Sequence, residues 1–199
     1  MSNDTTIVRT PNILRETSRG IEVIPIRDAL FERREIECVG TIDRDMTYSL
    51  CQQLRHLQHE NPDGKITIYF NSPGGEVTSG LAIYDVMKAI SCPIRTVCLG
   101  MAASMAALLF IAGDERDMLP HARVMIHDPL VAGGIGGSAL DIQTAAEGIM
   151  RTREITAQII ADHTGKSLEE VFEATSHDSY FEAAEALEWG LADRIIETL

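Results

Sequence analysis

From Ile21 onward the apolar positions change period several times, and each change predicts an element. Glu35-Ile36-Glu37-Cys38-Val39 alternates and stops at Gly40, which predicts a half-buried strand. From Asp43 to Glu60, the apolar residues Met46, Leu50, Leu54 and Leu57 return at helical spacing, with Asp43 or Asp45 placed to cap the first turn. Asn61-Pro62-Asp63-Gly64 interrupts the pattern as a turn, and Lys65 to Phe70 is a second strand. After Asn71-Ser-Pro-Gly-Gly75, a helical stretch runs to Ile90 with Leu81, Ile83, Tyr84, Val86 and Met87. Arg95 to Leu99 predicts another strand, Ala102 to Ile111 an apolar helix, and Arg123 to His127 a further buried strand. Strand alternates with helix three times, the signature of an α/β domain with parallel strands.

The second half of the chain reads differently. A glycine-rich stretch, Val131 to Gly137, precedes a long amphipathic helix from Ser138 to His163, with Ser138 or Asp141 as its cap. Thr164-Gly165 ends that helix in the manner of a glycine C-cap. A short helix over Ser167–Ala174 and another over Glu182–Trp189 complete the pattern. Residues 1–20 are polar and aperiodic and predict a mobile arm; residues 21–199 read as one domain.

Composition narrows the classes. With 45% hydrophobic residues the chain is globular in character. Seventeen basic against 30 acidic residues give a net charge of −13, which argues against nucleic acid as a partner. The longest apolar stretch, Met101 to Ala112, is too short to span a bilayer, so no membrane association is expected. The start, Met1-Ser-Asn-Asp4, lacks a secretion-signal pattern, and a cytoplasmic location is the expectation. Cys38, Cys51, Cys92 and Cys98 form no CxxC pair, so they read as reduced thiols filling apolar space, with no metal site.

Candidate chemistry gathers at Gly100-Met-Ala-Ala-Ser104-Met-Ala-Ala, where a strand passes into an apolar helix. A serine there is often a plain N-cap. The small residues around Ser104, however, leave room for a substrate backbone, and a helix start offers free N–H groups to a developing oxyanion. Serine needs an adjacent base. His127 closes the next strand, and neighbouring parallel strands bring their C-terminal ends together. His56, His59, His121, His163 and His177 fall on helices or polar loops and are weaker candidates. Asn71-Ser-Pro-Gly-Gly75 also joins a strand to a helix, and its two glycines would let a backbone N–H face the site; a simple tight turn is the alternative. With 30 acidic residues, the orienting acid stays open at this level.

Thr96-Val-Cys-Leu-Gly-Met-Ala-Ala-Ser104-Met-Ala-Ala resembles the active-serine signature of the Clp protease proteolytic subunit. Arg123-Val-Met-Ile-His127 with Pro129 resembles the active-histidine signature of that family. Asn71-Ser-Pro-Gly-Gly75, Thr17-Ser-Arg-Gly20, His163-Thr-Gly165 and Glu185-Ala-Leu-Glu-Trp-Gly-Leu191 are similar to further family landmarks in family order.

The resemblance implies a serine endopeptidase of crotonase-like fold, with Asp178 as the acid of the triad. It implies oxyanion donors at the N–H groups of Gly75 and Met105. Substrate would lie extended between a segment around Gly74 to Val77 and another from Leu130 to Gly133. The region 131–163 would be the family's handle, joining two stacked seven-membered rings, homomeric or mixed. Unfolded chains would be delivered by a hexameric ATP-dependent unfoldase, the subunit itself needing no cofactor.

Several positions depart from the family pattern. Asp128 stands where glutamine usually follows the active histidine, and Ser176-His177 stands where Glu-Arg often precedes the catalytic acid. Of the aromatics that line the family's unfoldase-docking pocket, Tyr69 is kept, while Thr67 and Ala89 replace others.

Rival readings are an acyl-CoA hydratase or isomerase, which needs no Ser–His pair, and a non-catalytic ring subunit, which needs no complete triad. Gly134-Ile-Gly-Gly-Ser-Ala139 matches a dinucleotide fingerprint only formally, since no second strand follows at the required distance. The hydrolase elbow GxSxG is absent.

Overall fold

A computed structural model describes residues 11–131, 133–134 and 136–199. The elements follow as β1 (Asn12–Thr17), β2 (Gly20–Pro25), α1 (Ile26–Phe31), β3 (Glu35–Val39), α2 (Arg44–Glu60), β4 (Ile66–Ser72), α3 (Val77–Ala89) and β5 (Ile94–Ala103). Then come α4 (Met105–Ile111), β6 (Glu115–Met118), β7 (Arg123–Ile126), α5 (Ala139–Thr164), α6 (Leu168–Thr175), β8 (Ser179–Glu182), α7 (Ala183–Trp189) and β9 (Arg194–Ile195). The result is a mixed α/β domain built on a mostly parallel sheet, ordered β3-β4-β5-β6-β9, with β7 joined to β5 and β8 joined to β7.

The strand–helix units form where the periodicity places them. Asp43 caps α2 by accepting from the Met46 N–H at 2.9 Å, and Leu50, Leu54 and Leu57 turn the apolar face of that helix inward. Phe70 and Phe110 meet edge-on at 6.1 Å in the core between the sheet and α4. Burial pushes the Cys38 and Cys98 thiols up to about 12, so both behave as inert packing groups.

The long helix α5 opens on a capping box, Ser138 with Asp141, and closes on Gly165 in the left-handed conformation at φ 72°. Its buried residues, Thr156, Ala157, Ile159 and Ile160, all lie in its C-terminal half.

Three features differ from the expectation. Residues 1–10 of the anticipated arm lie outside the described residues, but Asn12–Thr17 pairs antiparallel with Gly20–Pro25. Most residues of that hairpin are exposed on both faces, so it leaves no alternation to read. The apolar helix begins at Met105, not Ala102, because Met101, Ala102 and Ala103 still pair with β7. The strands β6, β8 and β9 are four residues or fewer, too short to show a period. Among the described residues no helix is long and apolar enough to cross a membrane.

Candidate active site

Strand β5 is ten residues long and changes partner along its length. Its first half pairs with β6 (Arg95 opposite Glu115), and its last three residues pair in parallel with Arg123, Val124 and Met125 of β7. Ser104 and His127 are the residues that leave these two strands at the same end, and the Ser104 N–H donates to the Met125 carbonyl at 2.8 Å.

Strand β8 then runs antiparallel to β7, with Ile126 opposite Ser179. One step beyond that last pair, His127 faces Asp178. The register alone brings together three residues separated by 23 and 51 positions in the chain.

The side chains form a continuous chain of hydrogen bonds. Ser104 Oγ lies 2.8 Å from His127 Nε2, and His127 Nδ1 lies 2.9 Å from Asp178 Oδ1. A carboxylate only accepts, so Nδ1–H donates to Asp178, and the neutral ring then accepts from the serine hydroxyl at Nε2. The imidazole is mostly shielded at 16% exposure, while the Asp178 side chain is 59% exposed.

Ser104 occupies the N-cap position of α4, yet its side chain makes no capping bond and its backbone sits at φ 55°, ψ −123°. A non-glycine residue held there is strained, and such strain concentrates at functional sites. The simple N-cap reading of this serine therefore fails.

Gly74 and Gly75 belong to the same locus. Gly74, at φ 91°, is packed so closely that a Cβ would come within 2.8 Å of Ser104 Cβ and 3.0 Å of Met105 N. At Gly75 a Cβ would stand 2.0 Å from the Ile42 carbonyl oxygen, and the stretch bridges Ile42 in parallel. These glycines are needed for close backbone approach rather than for a plain turn. Val77, Met105, Leu108, Pro129 and Thr156 line a shallow recess beside Ser104 and His127. Leu130 is exposed at 66% and stands outside that lining. A larger hollow of about 480 Å³ between α2 and α3, lined by Arg44, Tyr48, Arg55 and Glu76 among others, contains none of the three bonded residues.

The Clp protease family model matches residues 18–199, nearly the whole chain. The chain belongs to the Clp protease family.

Sequence reasoning missed Asp128, Arg153 and Thr175 as a bonded group next to the site. The one signal in the sequence was an acid, Asp128, directly beside His127.

Proposed function

We propose that this chain is a serine endopeptidase subunit in which Ser104 is the nucleophile, His127 its base and Asp178 the group that orients the base. The observation carrying this reading is the unbroken Ser104–His127–Asp178 hydrogen-bond chain, with spacings of 2.8 and 2.9 Å.

In the reaction, Oγ of Ser104 attacks the peptide carbonyl carbon while its proton passes to Nε2 of His127. The developing oxyanion is taken up by the N–H groups of Gly75 and Met105. His127 then gives the proton to the leaving amine nitrogen as the C–N bond breaks, and water releases the acyl group from Ser104 by the same route in reverse. Asp178 holds the ring with Nδ1 as the donor, the tautomer that leaves Nε2 free to accept. The substrate backbone lies extended between the Gly74–Val77 segment and the chain around Leu130.

Family membership supports assembly into rings, and we extend the reading to a cytoplasmic particle of two stacked seven-membered rings on a crotonase-like fold, with α5 as the handle. Unfolded chains then reach the sites through a hexameric ATP-dependent unfoldase.

The test is cleavage of short unstructured peptides by the assembled protein without ATP, alongside Ser104→Ala. Cleavage that disappears in the variant is expected. No cleavage of any unstructured peptide by the assembled protein would leave a non-catalytic ring subunit. Turnover of acyl-CoA thioesters in place of peptides would indicate the acyl-CoA enzyme.

A further inference from the structure

The β7–β8 ladder ends one residue short of the site. Its last pair is Ile126 with Ser179, so His127 and Asp178 both lie beyond the final rung. What holds them in register must come from elsewhere, and the contacts converge on Asp128.

The Asp128 N–H donates to the Thr175 carbonyl at 2.7 Å, the next main-chain tie between the two segments. Its carboxylate accepts from Thr175 Oγ1 at 2.7 Å through Oδ1 and from Arg153 Nε at 2.5 Å through Oδ2. Thr175 is 3% exposed and stands three residues before Asp178. Arg153 belongs to α5, and its guanidinium lies over the Phe172 ring of α6 at 4.1 Å. One turn further along α5, Thr156 donates to the Arg153 carbonyl at 3.1 Å and lines the recess at Ser104. One carboxylate thus ties the His127 strand end to the segment leading into Asp178, and both to α5.

We propose that Asp128, through Thr175 and Arg153, is a positioning residue that fixes His127 against Asp178. Asp128 touches no reacting atom. It acts by preventing a sideways shift of two residues that no ladder bond restrains, and a misplacement of about 1 Å can cost up to about a hundredfold in rate. The inference rests on the triad reading of the site.

The experiment uses the assembled protein, a short fluorogenic peptide and a fluorophosphonate probe. Asp128→Ala and Arg153→Ala should each lower kcat about tenfold and slow labelling of Ser104 by a similar factor. KM should stay within about twofold, since the lost interaction is felt in the transition state rather than in binding. The double variant should be no worse than the poorer single one, and Arg153→Lys should recover part of the rate by keeping the ion pair. If Asp128→Ala does not assemble, Asp128→Asn decides by the same kcat criterion, because it keeps an acceptor for Thr175 and loses the charge for Arg153.

The proposal is overturned if kcat is unchanged while only melting temperature falls, if KM alone rises, or if the two single effects multiply. Retained activity in Ser104→Ala would instead strike the triad reading itself, so the two failures are distinguishable.

Discussion

The two ends of β5 treat polar groups in opposite ways. Toward its start, the fully buried Asp117 side chain accepts from Arg95 Nε at 2.7 Å and from Arg194 Nε at 2.7 Å, and Arg194 also reaches Glu115 at 2.9 Å. Burial alone would raise the Asp117 pKa, but the hydrogen bonds from Arg194 and Arg95 outweigh it and hold the carboxyl below its ordinary range. That cluster joins β5, β6 and β9, and both oxygens of its buried aspartate accept hydrogen bonds from arginine.

At the other end, Ser104 is strained, its hydroxyl declines the helix cap, and the chain of bonds ends on an aspartate that is largely in solvent. One end buries a carboxylate with both oxygens engaged, whereas the other aims a hydroxyl at an imidazole with a recess beside it.

Substitutions at the two ends should therefore separate activity from stability. The largest effect is expected for Asp178→Asn, which should lower kcat by about four orders of magnitude by trapping the wrong imidazole tautomer. The urea midpoint should barely move, because the side chain is exposed. Near-normal peptidase activity in that variant would assign the orienting role to another acid.

Asp117→Ala should do the reverse, costing about 3 kcal/mol in a urea titration, the lower end for a broken buried pair because both arginines reach water. Activity per folded subunit should be retained, and a loss of kcat with stability unchanged would erase the contrast.

A smaller effect belongs to His163, whose imidazole lies 3.1 Å from Tyr84 Oη. Burial, with help from Lys88 and Arg116, holds its pKa below the ordinary value of 6.5. The unfolded chain then binds the extra proton first, so this contribution to stability is complete above pH 6.5 and fades as pH falls toward the lower folded value. His163→Gln should flatten the slope of melting temperature against pH in that window. An unchanged slope would place its origin in other groups.

Much of the first half of the fold was legible because its elements are long enough to show a period. The spacing of Leu50, Leu54 and Leu57 and the alternation of Glu35 to Val39 each correspond to an element with the expected buried face. The approach of Ser104 to His127 followed from parallel strands ending together.

Asp178 did not follow in the same way, since its place depends on β8, a four-residue strand with no readable period, and it came only from family resemblance. The start of α4 was misplaced for a related reason. Ala102 and Ala103 suit a helix by propensity, but pairing with Val124 and Met125 keeps them in the sheet. The Asp128 clamp depends on contacts among α5, α6 and β7 that no local pattern encodes.

The central claim, that His127 activates the Ser104 hydroxyl, is tested most directly by the intact mass of the chain after reaction with a fluorophosphonate probe. One adduct per subunit, mapped to Ser104 and absent in both Ser104→Ala and His127→Ala, is the predicted result. No adduct on the assembled wild-type protein, or one that persists when Ser104 is replaced, would contradict it.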